Sequence, residues 1–237
     1  MANYKINDTL DIYEAENTYF LKAPHHRIGK FLAHYELYKR ILTLPGDVLE
    51  LGVYKGASLM RFLAFRETLE NQHSRKVLGF DAFGKFPVAE GENQADQQFI
   101  EKFEGAGGQG ISREDLDGAI QAKTTGNVEL IPGDVFETLP AYLARRPELR
   151  IAILHLDMDV YKPTQFALSL LAERVVPGGL IVFDDYNAVG GATIAADEFA
   201  RQTGLALEKL PHYSVPAFFT IPSGGFQARG ERASGAE

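Results

Sequence analysis

The chain of 237 residues contains no cysteine, and this absence excludes disulfide bonds, thiolate metal sites and a cysteine nucleophile. Tryptophan is absent as well, which slightly disfavours a flat aromatic substrate, although 16 phenylalanines and 10 tyrosines weaken that indication. Positive charge is scarce, because 24 Lys and Arg stand against 32 Asp and Glu, for a net charge of −8. Without a basic cluster, a nucleic-acid partner is not expected.

Long hydrophobic runs are also missing. No apolar segment approaches the ~20 residues needed to span a bilayer, and the N-terminal residues lack the apolar core of a signal peptide. The sequence therefore predicts a cytoplasmic protein with no membrane partner. A composition that is 45% hydrophobic and 24% charged suits one domain with a substantial core over residues 1–237.

Strands and helices alternate along most of the chain. An amphipathic helix is predicted from His26 to Leu42, with Lys30 on its polar side, within an N-terminal helical cap of residues 1–45. The alternation predicts an α/β fold with a doubly wound, mostly parallel sheet and a C-terminal antiparallel hairpin. The predicted strands are 48–53, 76–81, 127–134, 153–159, 180–185, 205–210 and 217–221. The predicted helices that follow the cap are 58–70, 139–145, 164–174 and 193–203, with a turn at 177–179.

Two segments fall outside this alternation. Residues 84–126 are too long for a plain connection and contain a glycine-rich stretch at 105–110. Loops of this length are often lids or binding elements, so we expect an insertion that closes over a substrate. The tail, residues 224–237, is rich in glycine and polar residues and is expected to be flexible.

Acidic residues follow two of the predicted strands directly. The run at 153–156 ends at Asp157 and Asp159, and the run at 180–183 ends at Asp184 and Asp185. If these strands are neighbours, about 4.8 Å apart, three of the carboxylates converge and repel one another. An all-oxygen site of Asp157, Asp184 and Asp185 suits Mg²⁺ or Ca²⁺ and disfavours zinc. The first hypothesis is therefore a metal-using enzyme.

Asp159 lies two residues beyond Asp157 and is our candidate for the general base that takes a proton from a metal-activated hydroxyl. Lys162 is a competing base, or it pairs with one of the acids. The alternative for each acidic pair is a helix or turn cap. Acids at two adjacent strand ends favour the metal site, because buried unpaired acids are costly.

The junction between the first strand and its helix contains two glycines. Gly52 would permit a tight turn and Gly56 a close approach of a ligand to the backbone. The same spacing often serves packing alone. The dinucleotide glycine pattern and the phosphate-binding loop are both missing, so a nucleoside without a pyrophosphate is favoured over NAD.

Acids also end the second and third predicted strands. Asp81 could accept hydrogen bonds from ribose hydroxyls, while Gly133 and Asp134 could contact an adenine edge. Asp134 also fits a helix N-cap, and the two roles are compatible. Together with the glycine turn, these acids suggest S-adenosylmethionine as the cofactor. The predicted cofactor-binding residues are Glu50, Gly52, Tyr54, Gly56, Ser58, Asp81, Gly133 and Asp134.

The sequence resembles the macrocin O-methyltransferase (TylF/MycF) family from about residue 46 to residue 221. Four motifs carry the resemblance: DVLELGVYKGAS at 47–58, GFDAFGKFP at 79–87, HLDMDVYKPT at 155–164 and GGLIVFDDY at 178–186. Two positions depart from the family pattern, Ala57 where a second glycine is common and Ala82 where Ser or Thr is common. Neither departure removes an acid or Gly52.

The resemblance implies a class I, Rossmann-like methyltransferase fold, S-adenosylmethionine as methyl donor and dependence on Mg²⁺. It also implies methylation of a sugar hydroxyl, typically in a glycosylated natural product of antibiotic biosynthesis or in a nucleotide sugar. By motif, Asp157, Asp184 and Asp185 are the metal ligands and Asp159 is the base. The alternatives are a metal-dependent phenolic or catechol O-methyltransferase, a non-catalytic nucleoside-binding module and an NAD-dependent dehydrogenase.

Four of the six histidines have expected positions. His25 and His26 are expected at an exposed helix start, His155 is expected to be a hydrogen-bonded interior residue, and His212 is not expected to contact a substrate. The expected partner is a small sugar-containing molecule, and the sequence is compatible with a homo-oligomer.

Overall fold

A seven-stranded sheet forms the centre of the protein. The computed structural model describes residues 3–7, 9–87, 94–123 and 125–225. The strands are β1 Asp47–Leu51, β2 Val77–Asp81, β3 Val128–Pro132, β4 Ile151–Leu156, β5 Val175–Phe183, β6 Glu208–Lys209 and β7 Ala217–Thr220. The helices are α1 Ile12–Lys22, α2 His25–Arg40, α3 Ala57–Leu69, α4 Gln94–Gly107, α5 Arg113–Ala122, α6 Val135–Arg145, α7 Tyr161–Leu171 and α8 Gly190–Thr203, with a short 3₁₀ helix at Ala172–Arg174.

The sheet order is β3-β2-β1-β4-β5-β7-β6. The first five strands in this order are parallel, and β7 and β6 run antiparallel at one edge. The predicted mostly parallel sheet with a C-terminal hairpin is therefore confirmed. The predicted neighbours are confirmed too, since Leu156 at the end of β4 pairs with Phe183 at the end of β5.

Helices cover both faces of the sheet. Side chains of α6, α7 and α8 pack on one face, and side chains of α2, α3 and α5 pack on the other. Every residue of β4 is buried, which explains why its sequence is a continuous apolar run rather than an alternating one. None of the described helices combines the length and hydrophobicity that crossing a bilayer requires.

The turn predicted at 177–179 is wrong, because these residues lie inside β5. The pairing of β4 with β5 shifts between Ile151, opposite Val175, and Ile153, opposite Leu180. The extra residues of β5 form a bulge, an arrangement that accommodates a proline and two glycines in a strand. The first strand of the predicted hairpin is also shorter than expected, since β6 has only two residues.

The insertion at 84–126 contains two helices, α4 and α5, where the sequence predicted a loop-like lid. The glycine-rich stretch at 105–110 is not one loop, because its first three residues end α4. Ser112 caps α5 by accepting a hydrogen bond from the backbone N–H of Asp115. Residues 88–93 and 124 of the insertion, and residues 226–237 of the tail predicted to be flexible, lie outside the described residues.

Candidate active site

The carboxyl ends of β1 to β5 open into a cavity of about 350 Å³. Open α/β sheets bind ligands at this edge. Six of the eight predicted cofactor residues line the cavity, and Glu50 and Gly56 do not. The six are Gly52, Tyr54, Ser58, Asp81, Gly133 and Asp134. All four acids of the predicted metal and base set line the same cavity, namely Asp157, Asp159, Asp184 and Asp185.

The loop after β1 brings two strand ends together through its glycines. Gly52 has a φ of +92°, and a Cβ at this position would lie 1.9 Å from the backbone oxygen of Asp157. Gly56 has a φ of +83°, and its Cβ would lie 2.8 Å from the side chain of Leu116 in α5. Close packing therefore requires a glycine at both positions, as the alternative interpretation of this motif expected. Gly52 in addition lines the cavity.

Gly52→Ala is expected to lower the free energy of unfolding by more than about 2 kcal/mol, because both the positive φ and the Asp157 contact oppose a side chain. Thermal or urea unfolding measures the effect. Gly118→Ala is the matched control, since Gly118 lies in α5 and a Cβ added there would have no heavy atom within 4 Å. That change should stabilise by about 0.5–1 kcal/mol. Equal stability of the two variants would contradict the close-approach explanation.

Asp81 holds the loop in place. Its Oδ2 accepts hydrogen bonds from the backbone N–H groups of Val53, at 2.7 Å, and Tyr54, at 2.9 Å. Its Oδ1 accepts from the N–H of Phe83 at 2.6 Å. Each carboxylate oxygen can accept a further bond, so the predicted contact with ribose hydroxyls remains a prediction beside this observed role.

Asp134 caps helix α6, as the alternative interpretation expected. Its Oδ1 accepts a hydrogen bond from the backbone N–H of Phe136 at 2.9 Å. Because the cap also lines the cavity, the structural role and a ligand contact are compatible at this residue.

Helix α4 covers the loop after β1. The hydroxyl of Tyr54 and the ammonium of Lys55 both donate to the backbone oxygen of Gly107, at 2.8 and 2.7 Å. The rings of Tyr54 and Phe103 lie 4.9 Å apart between centroids, and the N–H of Ile111 donates to the backbone oxygen of Tyr54 at 2.8 Å. The insertion therefore packs against the predicted cofactor loop, and closure of residues 105–110 over a substrate remains a prediction.

The acids after β4 and β5 converge as predicted. Strand pairing continues past the strand ends. The backbone N–H of Asp157 donates to the backbone oxygen of Leu51 at 2.8 Å, and the N–H of Asp184 donates to the backbone oxygen of Leu156 at 3.0 Å. Ligand atoms of Asp157, Asp184 and Asp185 all lie within 4.8 Å of one another. One oxygen of Asp185, Oδ2, is buried and finds no hydrogen-bond partner among the described residues. An all-oxygen set with an unsatisfied oxygen fits a hard divalent cation such as Mg²⁺.

Lys30 extends from α2 into this acid cluster and forms an ion pair with Oδ2 of Asp184. The prediction that Lys30 lies on the solvent side of its helix is wrong, since its side chain is 18% exposed. Burial lowers the pKa of Lys30, but the charges of Asp184 and Asp157 outweigh it and raise the pKa above the usual range. The ammonium group is therefore charged and offsets one of the carboxylates.

Two buried histidines contact the carboxylate of Asp184. Nε2 of His155 and Nε2 of His34 each lie 3.3 Å from Oδ1 of Asp184, and Nδ1 of His155 lies 3.1 Å from Oε1 of Glu50. The side chains of all four residues are at most 2% exposed. With a carboxylate on either side, both ring nitrogens of His155 donate. His155 is thus interior and hydrogen-bonded as expected. Glu50 does not line the cavity, but one of its carboxylate oxygens lies within 4.8 Å of ligand atoms of both His155 and Asp157.

The pKa values of the two histidines differ because their surroundings differ. Burial lowers the pKa of His155, but hydrogen bonds to Asp184 and Glu50 raise it to about 9. Burial lowers the pKa of His34 to about 4. Burial raises the pKa of Asp184, but hydrogen bonds from His155 and His34 hold it well below the usual range. Asp184 is therefore a carboxylate fixed in orientation by charged and neutral donors.

Among the described residues, no histidine hydrogen bond to the other three acids is present, and the charge of Lys30 does not outweigh the effects that raise their pKa values. Burial, followed by the charges of Asp184 and Asp185, raises the pKa of Asp157 well above its usual range. Burial and then the charge of Asp185 raise the pKa of Asp159 to about 9, and burial and Asp184 raise the pKa of Asp185. The cluster is therefore short of positive charge, and a divalent cation would favour the ionised carboxylates.

Asp159 occupies an unusual backbone conformation, with a φ of +64°. Its backbone oxygen accepts a hydrogen bond from the N–H of Ala192 at 2.9 Å, which ties it to the start of α8. Left-handed conformations of non-glycine residues are uncommon and concentrate at functional sites. This geometry directs the Asp159 carboxyl to the cavity beside Asp185.

The competing base and the remaining histidines lie elsewhere. Lys162 lines a separate depression with Gln165 and Glu198 and is not among the residues of the main cavity. His26 stacks on Tyr213 with ring centroids 5.3 Å apart, and neither ring lines the cavity. Asp159 therefore lines the main cavity and Lys162 does not, and the role of Asp159 as the base remains a prediction.

Sequence reasoning missed the cationic and histidine residues of α2 and α3 at this site. Lys30 and His34 are one turn apart on α2, and Arg27 and Arg61 also line the cavity. The spacing of Arg27, Lys30 and His34, at i, i+3 and i+7, places them on one helix face, a signal that the sequence contains. The apolar residues of the same helix show a similar spacing, and for this reason the polar face was not recognised as part of the site.

Most of the chain is similar to one known protein family. Residues 32–213 match the family described as Macrocin-O-methyltransferase (TylF). The chain is 27% identical over 165 residues to 8-demethyl-8-(2,3-dimethoxy-alpha-L-rhamnosyl)-tetracenomycin-C 4'-O-methyltransferase of Streptomyces olivaceus, covering 69% of this chain and 61% of that protein. The match thus spans about three fifths of the length of that relative.

Solved structures extend the similarity over most of the chain. Apo CalS11, described as a TDP-rhamnose 3'-o-methyltransferase in calicheamicin biosynthesis, gives a TM-score of 0.63 at 28% identity, covering 90% of this chain and 88% of that chain. The O-methyltransferase NovP gives a TM-score of 0.71 at 21% identity, covering 82% and 80% of the two chains, a likeness of fold alone.

Proposed function

We propose that methyl transfer to a sugar hydroxyl is the activity of this chain, starting from the fact that it belongs to the macrocin O-methyltransferase (TylF) family. Its sheet has the predicted class I methyltransferase fold, shared with CalS11 and NovP. The proposed donor is S-adenosylmethionine, and the proposed acceptor is a sugar of a glycosylated natural product or a nucleotide sugar. A rhamnosyl group and TDP-rhamnose in the names of two relatives support this acceptor class.

One observation carries the proposal. The acid cluster of Asp157, Asp184 and Asp185 opens into the same cavity as the loop that begins at Gly52. A methyl donor held by that loop and an acceptor oxygen held at the acids would meet inside one cavity. Orientation of two reactants in this way can supply about 7–11 kcal/mol of a transfer barrier when the reacting groups are well aligned.

The residues of the chain have distinct proposed tasks. When bound, S-adenosylmethionine supplies the electrophilic methyl group and Mg²⁺ supplies Lewis acidity at the acceptor oxygen. Asp157, Asp184 and Asp185 would hold the cation, and the loop from Gly52 would hold the donor. The Asp159 carboxyl, which lines the cavity beside Asp185, would accept the hydroxyl proton in its ionised form.

The proposal predicts methylation of a sugar that depends on a divalent cation. Incubation with S-adenosylmethionine and a panel of glycosides and nucleotide sugars, with Mg²⁺ or with excess EDTA, should give a mass gain of one methyl group only with the cation. A panel of catechols serves as the control for the acceptor class. Methylation confined to the catechols would show that the acceptor is a phenol and contradict the proposed sugar acceptor. Full activity in EDTA would contradict the proposed role of the metal.

A further inference from the structure

One face of α2 runs from the acid cluster to the mouth of the cavity. His34, at the inner end, and Lys30, one turn further out, both contact Asp184. Arg27 lies one more turn towards the start of the helix, is exposed, and lines the same cavity. Because positions 27, 30 and 34 share a face, Arg27 lies on the side of α2 that carries Lys30 to the acid cluster, one turn further from that cluster.

A second guanidinium faces it from α3. Arg61 lines the cavity one turn beyond Ser58, and it is partly buried. Burial lowers the pKa of Arg61, and the charge of Arg27 is the next contribution in the same direction. The two like charges are therefore close enough to repel. Within the part of the chain that the structure describes, neither guanidinium has a hydrogen-bond or ion-pair partner.

This pair contrasts with two buried arginines of the chain. Arg66 and Arg75 are almost fully buried, and both are satisfied by carboxylates and backbone oxygens. Arg61 is partly desolvated and, among the described residues, forms no such hydrogen bond or ion pair. The charges of Asp184 and Glu50 favour its ionised form, but they do not outweigh burial and the like charge of Arg27, so the pKa of Arg61 is lowered. Two guanidinium groups that converge on a cavity match the planar, multivalent geometry of a carboxylate or phosphate.

We propose that Arg27 and Arg61 form a binding site for an oxyanion of a molecule that fills the cavity. This inference rests on the proposed function, because two molecules of the proposed reaction carry an oxyanion. S-adenosylmethionine has a carboxylate, and a nucleotide-activated sugar has a diphosphate. If the diphosphate is the ligand, the sugar is methylated while it is still activated, before a glycosyl transfer consumes it. If the carboxylate is the ligand, the pair anchors the amino-acid end of the methyl donor.

The variants Arg61→Gln and Arg27→Gln test the site with four probes. S-adenosylhomocysteine and 5′-methylthioadenosine share the nucleoside and differ in the amino-acid group, so they isolate the carboxylate. TDP-rhamnose and methyl rhamnoside isolate the diphosphate in the same way. Calorimetry gives the dissociation constants, and Arg145→Gln, an exposed position of α6, controls for the loss of one positive charge.

Loss of a charge-assisted contact should weaken one charged probe by about 10- to 100-fold and leave its uncharged counterpart unchanged. Weaker S-adenosylhomocysteine binding assigns the site to the cofactor, and weaker TDP-rhamnose binding assigns it to the acceptor. Arg61→Lys should recover part of the affinity. The apo melting temperature of Arg61→Gln should not fall, because the variant removes a repulsion.

Two results would overturn the inference, and only the second of them would also contradict the proposed function. If the wild-type protein binds the charged probes and both glutamine variants bind them equally well, the oxyanion site is absent while the proposed function stands. If the wild-type protein binds neither S-adenosylhomocysteine nor TDP-rhamnose, the proposed function fails and the site fails with it.

Discussion

Asp157→Asn is expected to abolish cation binding and to lower turnover by more than about 100-fold, while S-adenosylhomocysteine still binds. Asp157 is one of three acids whose ligand atoms lie within 4.8 Å of one another. An amide keeps the volume of the side chain but removes the charge that a hard cation requires. Mn²⁺ binding, followed by electron paramagnetic resonance, and the initial rate of methyl transfer measure the two losses.

The same variant has an informative effect on stability. Burial and two carboxylate neighbours raise the pKa of Asp157 well above its usual range, so without a cation its neutral form is already favoured. The melting temperature of Asp157→Asn in EDTA should therefore equal or exceed that of the wild-type protein. Asp117→Asn, on the exposed part of α5, is the control and should change neither metal binding nor rate. Unchanged turnover of Asp157→Asn would exclude the acid cluster as the metal site.

The strand ends could be predicted because their pattern is local. An uninterrupted apolar run followed by acids identifies a buried parallel strand and the edge at which it leaves the sheet. Once β4 and β5 are neighbours, Asp157 and Asp184 must lie close together, whatever the rest of the fold. The glycine loop follows the same logic, since Gly52 is required by its φ and by the backbone of Asp157.

Contacts between distant segments were not accessible in the same way. Lys30 lies 154 residues before Asp184, its ion-pair partner, and its helix pattern assigns any lysine to the polar face. A buried lysine becomes favourable only through the carboxylates of a different element. The insertion was misread for a compositional reason, because glycines near residue 105 concealed the apolar spacing of Phe99, Ile100 and Phe103 in α4.

His155→Gln should lower the free energy of unfolding by about 3 kcal/mol, because it leaves the carboxylate of Glu50 buried without its charged partner. It should also weaken Mn²⁺ binding by about 10- to 100-fold, the usual effect of removing a residue that orients a metal ligand. His155 is fully buried between Oε1 of Glu50 and Oδ1 of Asp184. Denaturant unfolding and Mn²⁺ titration measure the two effects separately.

Glu50→Gln and the double variant with His155→Gln separate a positioning role from a purely structural one. In Glu50→Gln the amide oxygen can still accept from Nδ1 of His155, so Asp184 keeps its donor and metal affinity should stay near the wild-type value.

In the double variant no buried carboxylate is left at position 50, so part of the lost stability should return. Metal affinity should not return with it, because Asp184 still lacks the imidazole that contacts its Oδ1. If affinity instead recovers together with stability, His155 only balances the charge of Glu50, and the orientation of Asp184 depends on His34 and Lys30.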